Sequence, residues 1–255
     1  RLPGVLPPLD DVEALEVAAV SSISGSGIDA TRWRLRPFRS PHHTASSVAL
    51  AGGGGHPRPG EVSLAHHGVL FLDELTEWNR SVLEVLREPL ESGRIVISRA
   101  ARQCEFPARF QLVAAMNPCP CGYAGDPSGR CHCSPEQVSR YRSRVSGPLL
   151  DRIDIQIEVA RQPTTALANQ AAPGESSAPV RERVIAARAR QLQRAGKPNA
   201  QLGTREMTRD CELRASDQQL LERAIDKLNL SARAYHRILR VARTIADLDG
   251  ADAIN

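Results

Sequence analysis

Residues 68–75 read Gly-Val-Leu-Phe-Leu-Asp-Glu-Leu, a run of apolar side chains that passes without alternation into two adjacent carboxylates, Asp73 and Glu74. A strand half-exposed to water alternates polar and apolar positions. One that does not alternate is buried on both faces, as in the interior of a parallel sheet, so the segment predicts an α/β chain. Adjacent carboxylates are costly to bury unless they hold a cation or polarise water. At the C-terminal edge of an open α/β sheet, where ligands bind, they can do both. The competing reading is a core strand that ends in a solvated acidic turn.

The rest of the chain is organised around this strand. Asp10, Asp11 and Glu13 cap a helical pattern over 10–23. Residues 31–60 are rich in Arg, His, Pro and Gly, including Gly52 to Gly55, and predict an irregular insertion containing a hairpin. A helix is expected over 79–91, kinked by Pro89 and ended by Gly93. Residues 94–99 and 102–106 form two extended segments separated by Ala100 and Ala101, which predicts a hairpin. A second buried strand is expected over 110–116, ending at Asn117-Pro118. A third, over 153–159, alternates and predicts an edge strand. Residues 161–179 have a linker composition, and helical patterns follow over 180–195, 216–228 and 231–248. The expected domains are therefore an α/β core at 1–160, a linker at 161–179 and an all-helical region at 180–255.

Within 255 residues there is no apolar run long enough to span a bilayer and no signal peptide, so a cytoplasmic location is expected. The first residues contain no initiator Met and the last no strong stop signal, so both ends read as cut from a longer protein. Of the 33 basic residues, 31 are arginine; Lys197 and Lys227 are the exceptions. Residues 181–255 hold 15 basic against 10 acidic side chains, a net of +5, whereas the whole chain is +4. The basic balance thus sits in the C-terminal part, which permits nucleic-acid contact without demonstrating it.

Cys119-Pro120-Cys121 and Cys131-His132-Cys133 are two close cysteine pairs across a Gly/Pro/Asp loop. Disulfides are disfavoured in the cytoplasm. Four thiolates so arranged suit a structural, tetrahedral Zn²⁺ with no open position, although the spacing within each pair is tighter than usual. Free thiols are the alternative, and His132 is a possible substitute ligand. Cys104 and Cys211 read as ordinary core or surface residues. His42, His43, His56, His66 and His67 match no metal-cage spacing and read as surface or hairpin histidines.

Several segments occur in one order: Arg39-Ser40-Pro41-His42-His43-Thr44-Ala45-Ser46, residues 68–75, the hairpin, Ala114-Ala115-Met116-Asn117-Pro118, residues 146–154, and Leu230-Ser231-Ala232-Arg233. That order resembles the magnesium-chelatase-like AAA+ ATPases, in detail the ComM/YifB family, over essentially the whole chain. The resemblance implies an AAA+ parallel-sheet core with β-hairpin insertions and a C-terminal helical lid. The family's Walker A loop, ending in Gly-Lys-Ser/Thr, and its N-terminal domain have no counterpart here; residues 1–9 resemble the stretch just after that loop. This chain alone is therefore expected to bind ATP poorly and to be inactive.

On this resemblance residues 68–75 are a Walker B strand. Asp73 would hold Mg²⁺ and Glu74 would orient and polarise the attacking water. Asn117 would reach the γ-phosphate or that water as sensor 1, and Arg233 would contact ATP phosphates as sensor 2. Arg152 would be the arginine finger that enters the next subunit's site. The plain alternatives are a strand-to-turn residue for Asn117, a local ion pair with Asp151 or Asp154 for Arg152, and a solvated face for Arg237 and Arg240. Arg99 and Arg102 near the hairpin tip would face a central pore and grip DNA phosphates, or else sit on a solvated turn. The implied whole is a ring of subunits, a hexamer, that hydrolyses ATP with Mg²⁺ and drives DNA branch migration in natural transformation. A chelatase- or chaperone-like motor acting on a protein partner, and a non-catalytic zinc-stapled DNA-binding or assembly module, are the competing readings.

Overall fold

The computed structural model describes the chain except for Ala100, Ala101, Ser128, 161–173, Asn229 and Asn255, and except for the side chains of Arg99, Arg102 and Ala232. The residues group into two compact units, Pro8–Ala171 and Arg1–Pro7 with Ala172–Asn255. No helix among the described residues is long and apolar enough to cross a membrane.

The first unit opens with α1 (Asp11–Ser24), started by a reciprocal capping box between Asp10 and Glu13 and stopped by Gly25 in the left-handed conformation. Strand β1 (Phe38–Arg39) and helix α2 (Ser47–Ala51) follow. Next come the two-residue ladder of β2 (Gly52–Gly53) and β3 (Arg58–Pro59), then α3 (Glu61–Leu64) and β4 (Val69–Leu72). Gly68 enters β4 beneath Pro37, whose carbonyl accepts from Val69 N–H; a Cβ on Gly68 would overlap that carbonyl oxygen.

Beyond β4 lie α4 (Arg80–Glu84) and α5 (Arg87–Ser92), the hairpin β5 (Arg94–Arg99) and β6 (Arg102–Pro107), β7 (Gln111–Ala114), α6 (Pro135–Arg142) and α7 (Gly147–Leu150). The expected single helix over 79–91 is thus two. Pro89 sits in the first turn of α5, where a missing N–H costs nothing, and the break falls upstream because its ring would clash with the carbonyl four residues earlier.

The sheet has the order β1-β4-β7, parallel throughout, with Phe38 opposite Val69 and Leu72 opposite Ala114. Its middle strand is β4; Val69 is buried, and Leu70 and Leu72 share a buried core with Leu50, Leu83, Leu86 and Leu149. Each such side chain contributes roughly 1.5–3 kcal/mol by leaving water. The expectation of a doubly buried strand in a parallel sheet holds. The expected edge strand over 153–159 does not form: the segment has no strand pairing, and Ile155, Ile157 and Val159 are 64%, 80% and 77% exposed. Alternation supplied a strand-like pattern, but a strand also needs a neighbour to hydrogen-bond, and the described residues provide none.

The second unit contains α8 (Ser177–Ala195), α9 (Thr204–Asp210), α10 (Ala215–Leu228) and α11 (Ala232–Leu248), with short 3-10 turns at Leu2–Val5 and Asn199–Gln201. Helix α8 begins inside the expected linker, because Pro179 is tolerated in its first turn; residues 161–173 of that linker lie outside the described residues. A small core of Leu202, Met207, Cys211, Leu239, Ala246 and Ile254 is joined by a buried polar knot. Asp247, fully buried, accepts from both terminal nitrogens of Arg194 at 2.7 Å and from Asn199 at 2.8 Å, and Arg243 lies 3.1 Å away. Burial opposes ionisation of Asp247, but the Arg194 and Asn199 hydrogen bonds outweigh it and hold the carboxyl below its usual range. Arg240 donates to the Leu202 carbonyl at 2.8 Å, so it serves the fold and does not line a solvated face as expected.

Candidate functional site

Three parallel strands deliver their C-terminal ends to one edge of the first unit. From β1 the chain continues into Ser40–Thr44, from β4 into Asp73 and Glu74, and from β7 into Ala115–Asn117. The last two ends are laced together, since Ala115 N–H donates to Leu72 O at 3.0 Å and Leu75 N–H donates to Ala115 O at 2.9 Å. The sheet therefore brings Asp73, Glu74 and Asn117 to the same edge, all three exposed. Asp73 Oδ1 accepts from the Glu74 N–H at 2.9 Å, while Trp78, buried below, ties down the Asp73 carbonyl at 3.0 Å. Glu74 has a left-handed backbone, φ 50°, a conformation that costs a non-glycine residue on the order of 1–2 kcal/mol. Beside it His43 Nδ1 lies 3.1 Å from Glu74 Oε2.

Arg152 also belongs to this unit, but its partner is neither Asp151 nor Asp154. Its guanidinium, 10% exposed, donates to Glu91 Oε1 at 2.6 Å and to the Pro148 carbonyl. Arg233 lies in the second unit, at the second position of α11, and is exposed. In the hairpin, Arg99 and Arg102 pair in register; the grip on DNA expected of them lies outside the described residues, which include neither side chain nor the Ala100-Ala101 tip.

The cysteine loop is a second constellation. Cys119 Sγ is 3.3 Å from Cys121 Sγ and 3.8 Å from Cys131 Sγ, Cys121 and Cys131 are 3.7 Å apart, and all four sulfurs including Cys133 fall within 4.8 Å. A tetrahedron with metal–sulfur bonds of about 2.3 Å has edges of about 3.8 Å, so two of the separations match it and the donor set suits a tetrahedral thiolate metal after small shifts of the sulfurs. Burial pushes the Cys119 thiol up, but contact with Cys121 and the N–H groups of Ala124, Tyr123 and Cys121 bring it down to about 6. Cys104 is half-buried against the core of the first unit, and Cys211 is buried in the core of the second.

Two histidines expected at the surface are not there. His66 is 2% exposed and His67 nearly covered, and both point Nε2 at Glu16 Oε2, at 3.0 and 2.6 Å. Glu13, on the same helix, meets Arg36 at 2.8 Å. Three donors converge, yet a metal does not suit them. His66 Nδ1 accepts from the Arg109 N–H at 3.0 Å, so the proton of the neutral ring is on Nε2, which cannot then ligate. Burial, then the neighbouring His67, push His66 down to about 4. The cluster ties α1 to the entry of β4. Its only sequence trace was the His66-His67-Gly68 triplet abutting the strand.

Family comparison agrees with this architecture. The magnesium chelatase subunit ChlI family matches residues 1–167, and the ChlI C-terminal family matches residues 174–255. The chain belongs to the magnesium chelatase ChlI family. Within it, the chain is 55% identical over 254 residues to the competence protein ComM of Haemophilus influenzae, which it covers by 50% of that protein's length. It is 52% identical over 254 residues to YifB of Escherichia coli, again covering 50% of that protein. The magnesium-chelatase 38 kDa subunit of Rhodobacter capsulatus is a more distant relative, 27% identical over 200 residues. All of this chain takes part in the ComM and YifB matches, and the chain spans about half the length of the curated relatives it matches. It is thus a ComM-like, magnesium-chelatase-type AAA+ chain with a parallel-sheet unit and a helical C-terminal region.

Proposed function

We propose that this chain forms the carboxylate half and the helical lid of an ATP-driven ring motor acting on DNA, in which subunits of the intact protein associate as a hexamer. The observation that carries the reading is the paired Asp73 and Glu74 on the central strand end, flanked at the same sheet edge by Asn117. Phosphoryl transfer asks mainly for positioning and charge neutralisation. Asp73 would hold Mg²⁺, which would supply charge neutralisation to the phosphates. Glu74 accepts a proton from the attacking water, and Asn117 orients that water or the terminal phosphate. Arg233 in the lid contacts the phosphates, and Arg152 completes the site of a neighbouring subunit. Residues 1–160 act as the core and 180–255 as the lid.

The DNA substrate rests on likeness to a competence protein and on the +5 balance of the last 75 residues. On that basis the motor drives branch migration during DNA uptake in the cytoplasm, with Arg99 and Arg102 gripping the backbone. Cys119, Cys121, Cys131 and Cys133 would hold a structural Zn²⁺, which would staple the loop that links Asn117 to the Arg152 segment; the sulfur spacing supports it.

The deciding experiment uses the full-length protein with Mg·ATP. E74Q is expected to bind nucleotide and lose turnover, and wild type to move a branched DNA junction with a steep decrease as salt rises. Turnover unaffected by E74Q overturns the hydrolase assignment. ATP-dependent remodelling of a protein partner without any action on junctions overturns the DNA substrate.

A further inference from the structure

The cysteine loop runs into α6, and the chain there carries Arg140, Arg142 and Arg144, all exposed. Residues 118–145 hold four arginines against Asp126 and Glu136, a net of +2, whereas the rest of 1–180 carries −3. Positive charge in this part of the chain is therefore concentrated beside the thiolates, and a concentrated field attracts polyanions.

The surface there is hollowed. A cleft of about 210 Å³ is lined by Arg140, Arg144, Gln137, Tyr141, Pro120 and Cys133, with no carboxylate among its lining residues. A wider hollow of about 640 Å³, lined in part by Arg142 and Cys131, shares Cys133 with it, so the two adjoin.

Several donors in these hollows are unused. Arg144 sits over the Tyr141 ring, 5.8 Å from its centroid, and gives Nη1 to the Thr76 carbonyl and to Glu77 at 3.3 Å. Arg142 gives Nε to the Pro118 carbonyl at 3.1 Å and keeps both terminal nitrogens. Gln137 Oε1 accepts from the Ser134 N–H at 2.8 Å, which leaves the amide NH₂ as a donor. The Arg140 side chain makes no hydrogen bond or ion pair with any described residue. A guanidinium backed by an aromatic ring is already oriented, and its fork matches two oxygens of one phosphate. A single free anion would need one hollow. Donors spread over two adjoining hollows suit successive phosphates of a chain.

We propose that the arginine-lined cleft beside the cysteine loop, formed by Arg140, Arg144 and Gln137 and continued by Arg142, binds the phosphodiester backbone of a single DNA strand. The assignment rests on the DNA reading above and adds to it a contact outside the hairpin.

The test is fluorescence anisotropy of a labelled oligothymidylate of about 20 nucleotides with the full-length protein, Mg²⁺ and a non-hydrolysable ATP analogue, across a salt series. R140E is expected to weaken binding about 5- to 20-fold while Mg·ATP turnover without DNA stays within about twofold of wild type. R140A/R144A should flatten the slope of log affinity against log salt by about 1.4, two single-strand phosphate contacts at about 0.7 each. Binding by R140E within about twofold of wild type overturns the assignment, as does an unchanged slope in folded R140A/R144A; R140E decides the matter if the double variant fails to fold. Weakened binding accompanied by loss of bound zinc assigns the guanidiniums to the thiolates and overturns it as well. So does displacement of the strand by polyglutamate or inorganic phosphate, at matched ionic strength, as readily as by unlabelled oligothymidylate. A wild type that binds no DNA sinks the DNA reading and this one together. Wild-type binding that R140E leaves intact sinks the cleft alone.

Discussion

Arg152 is bound in cis to Glu91, Nη2 to Oε1 at 2.6 Å, with its second terminal nitrogen on the Pro148 carbonyl. A guanidinium that serves a neighbouring subunit must leave this nest on assembly. In full-length protein, Arg152→Ala is expected to reduce ATP turnover by at least about 10³-fold, the scale of an arginine finger. Mixing Arg152→Ala subunits with Glu74→Gln subunits should restore part of the activity, because the intact finger of one then meets the intact carboxylate of the other. Mixed rings with no recovery would place Arg152 in its own subunit's structure only.

The partners of that ion pair are unequally buried, which predicts unequal costs. Glu91 is 44% exposed and stays hydrated alone, whereas the Arg152 side chain is 10% exposed. Removing Glu91 strands a buried cation; removing Arg152 leaves a solvated carboxylate. Glu91→Ala should therefore destabilise the first unit more than Arg152→Leu, by about 1–3 kcal/mol in urea denaturation.

Metal content tests the cysteine cluster independently of activity. Protein purified without chelators should carry about one zinc per chain. Cys119→Ser should abolish it, because Cys119 sits at the centre of the backbone donors and is fully buried. Zinc absent from fresh protein, or undiminished in Cys119→Ser, would remove the staple from the account.

Stability should depend on pH through His66. Its folded pKa is about 4 against an ordinary value of 6.5, so between these limits the unfolded chain binds a proton that the folded chain refuses. The stabilisation is complete above about pH 6.5 and is lost as pH falls toward about 4, a total of about 3 kcal/mol. Glu16, held below its usual range first by the His67 hydrogen bond, acts in the same direction at still lower pH. Tm should fall steadily from pH 7 to 4.5 in wild type and less in His66→Asn, which keeps an acceptor for the Arg109 N–H but does not titrate.

In the helical unit, Asp247 is the residue whose loss should cost most. Asp247→Ala leaves the buried Arg243 and the partly buried Arg194 without their carboxylate, a change of about 3–5 kcal/mol. Urea unfolding of the isostere Asp247→Asn should show a smaller loss, since one acceptor oxygen remains.

Much of the sheet unit was legible along the chain. Unbroken apolarity at 69–72 implied a doubly buried strand, the Asp10/Glu13 spacing a helix start, and the paired runs at 94–106 a hairpin, because each rests on local periodicity or capping. The four cysteines were legible for the same reason: their chemistry is carried by residue type and short spacing. Periodicity misled at 153–159, where alternation was present and a hydrogen-bonding neighbour was not. It was also silent on His43, Glu91 and Glu16, which are 31, 61 and 50 residues from Glu74, Arg152 and His66.

What the amino-acid sequence determined by itself is therefore the kind of chain this is: an α/β sheet ending in Asp73-Glu74, a thiolate loop, a helical C-terminal region and membership of one family. Only the tertiary structure decided who holds whom. A parallel sheet gathers the ends of distant strands at one edge, so Glu74 and Asn117 reach the same edge and His43 lies beside Glu74 through crossovers that no local pattern records. Burial decided the rest, keeping His66 neutral and Arg152 tethered, since the cost of an unpaired polar group depends on the water that packing removes.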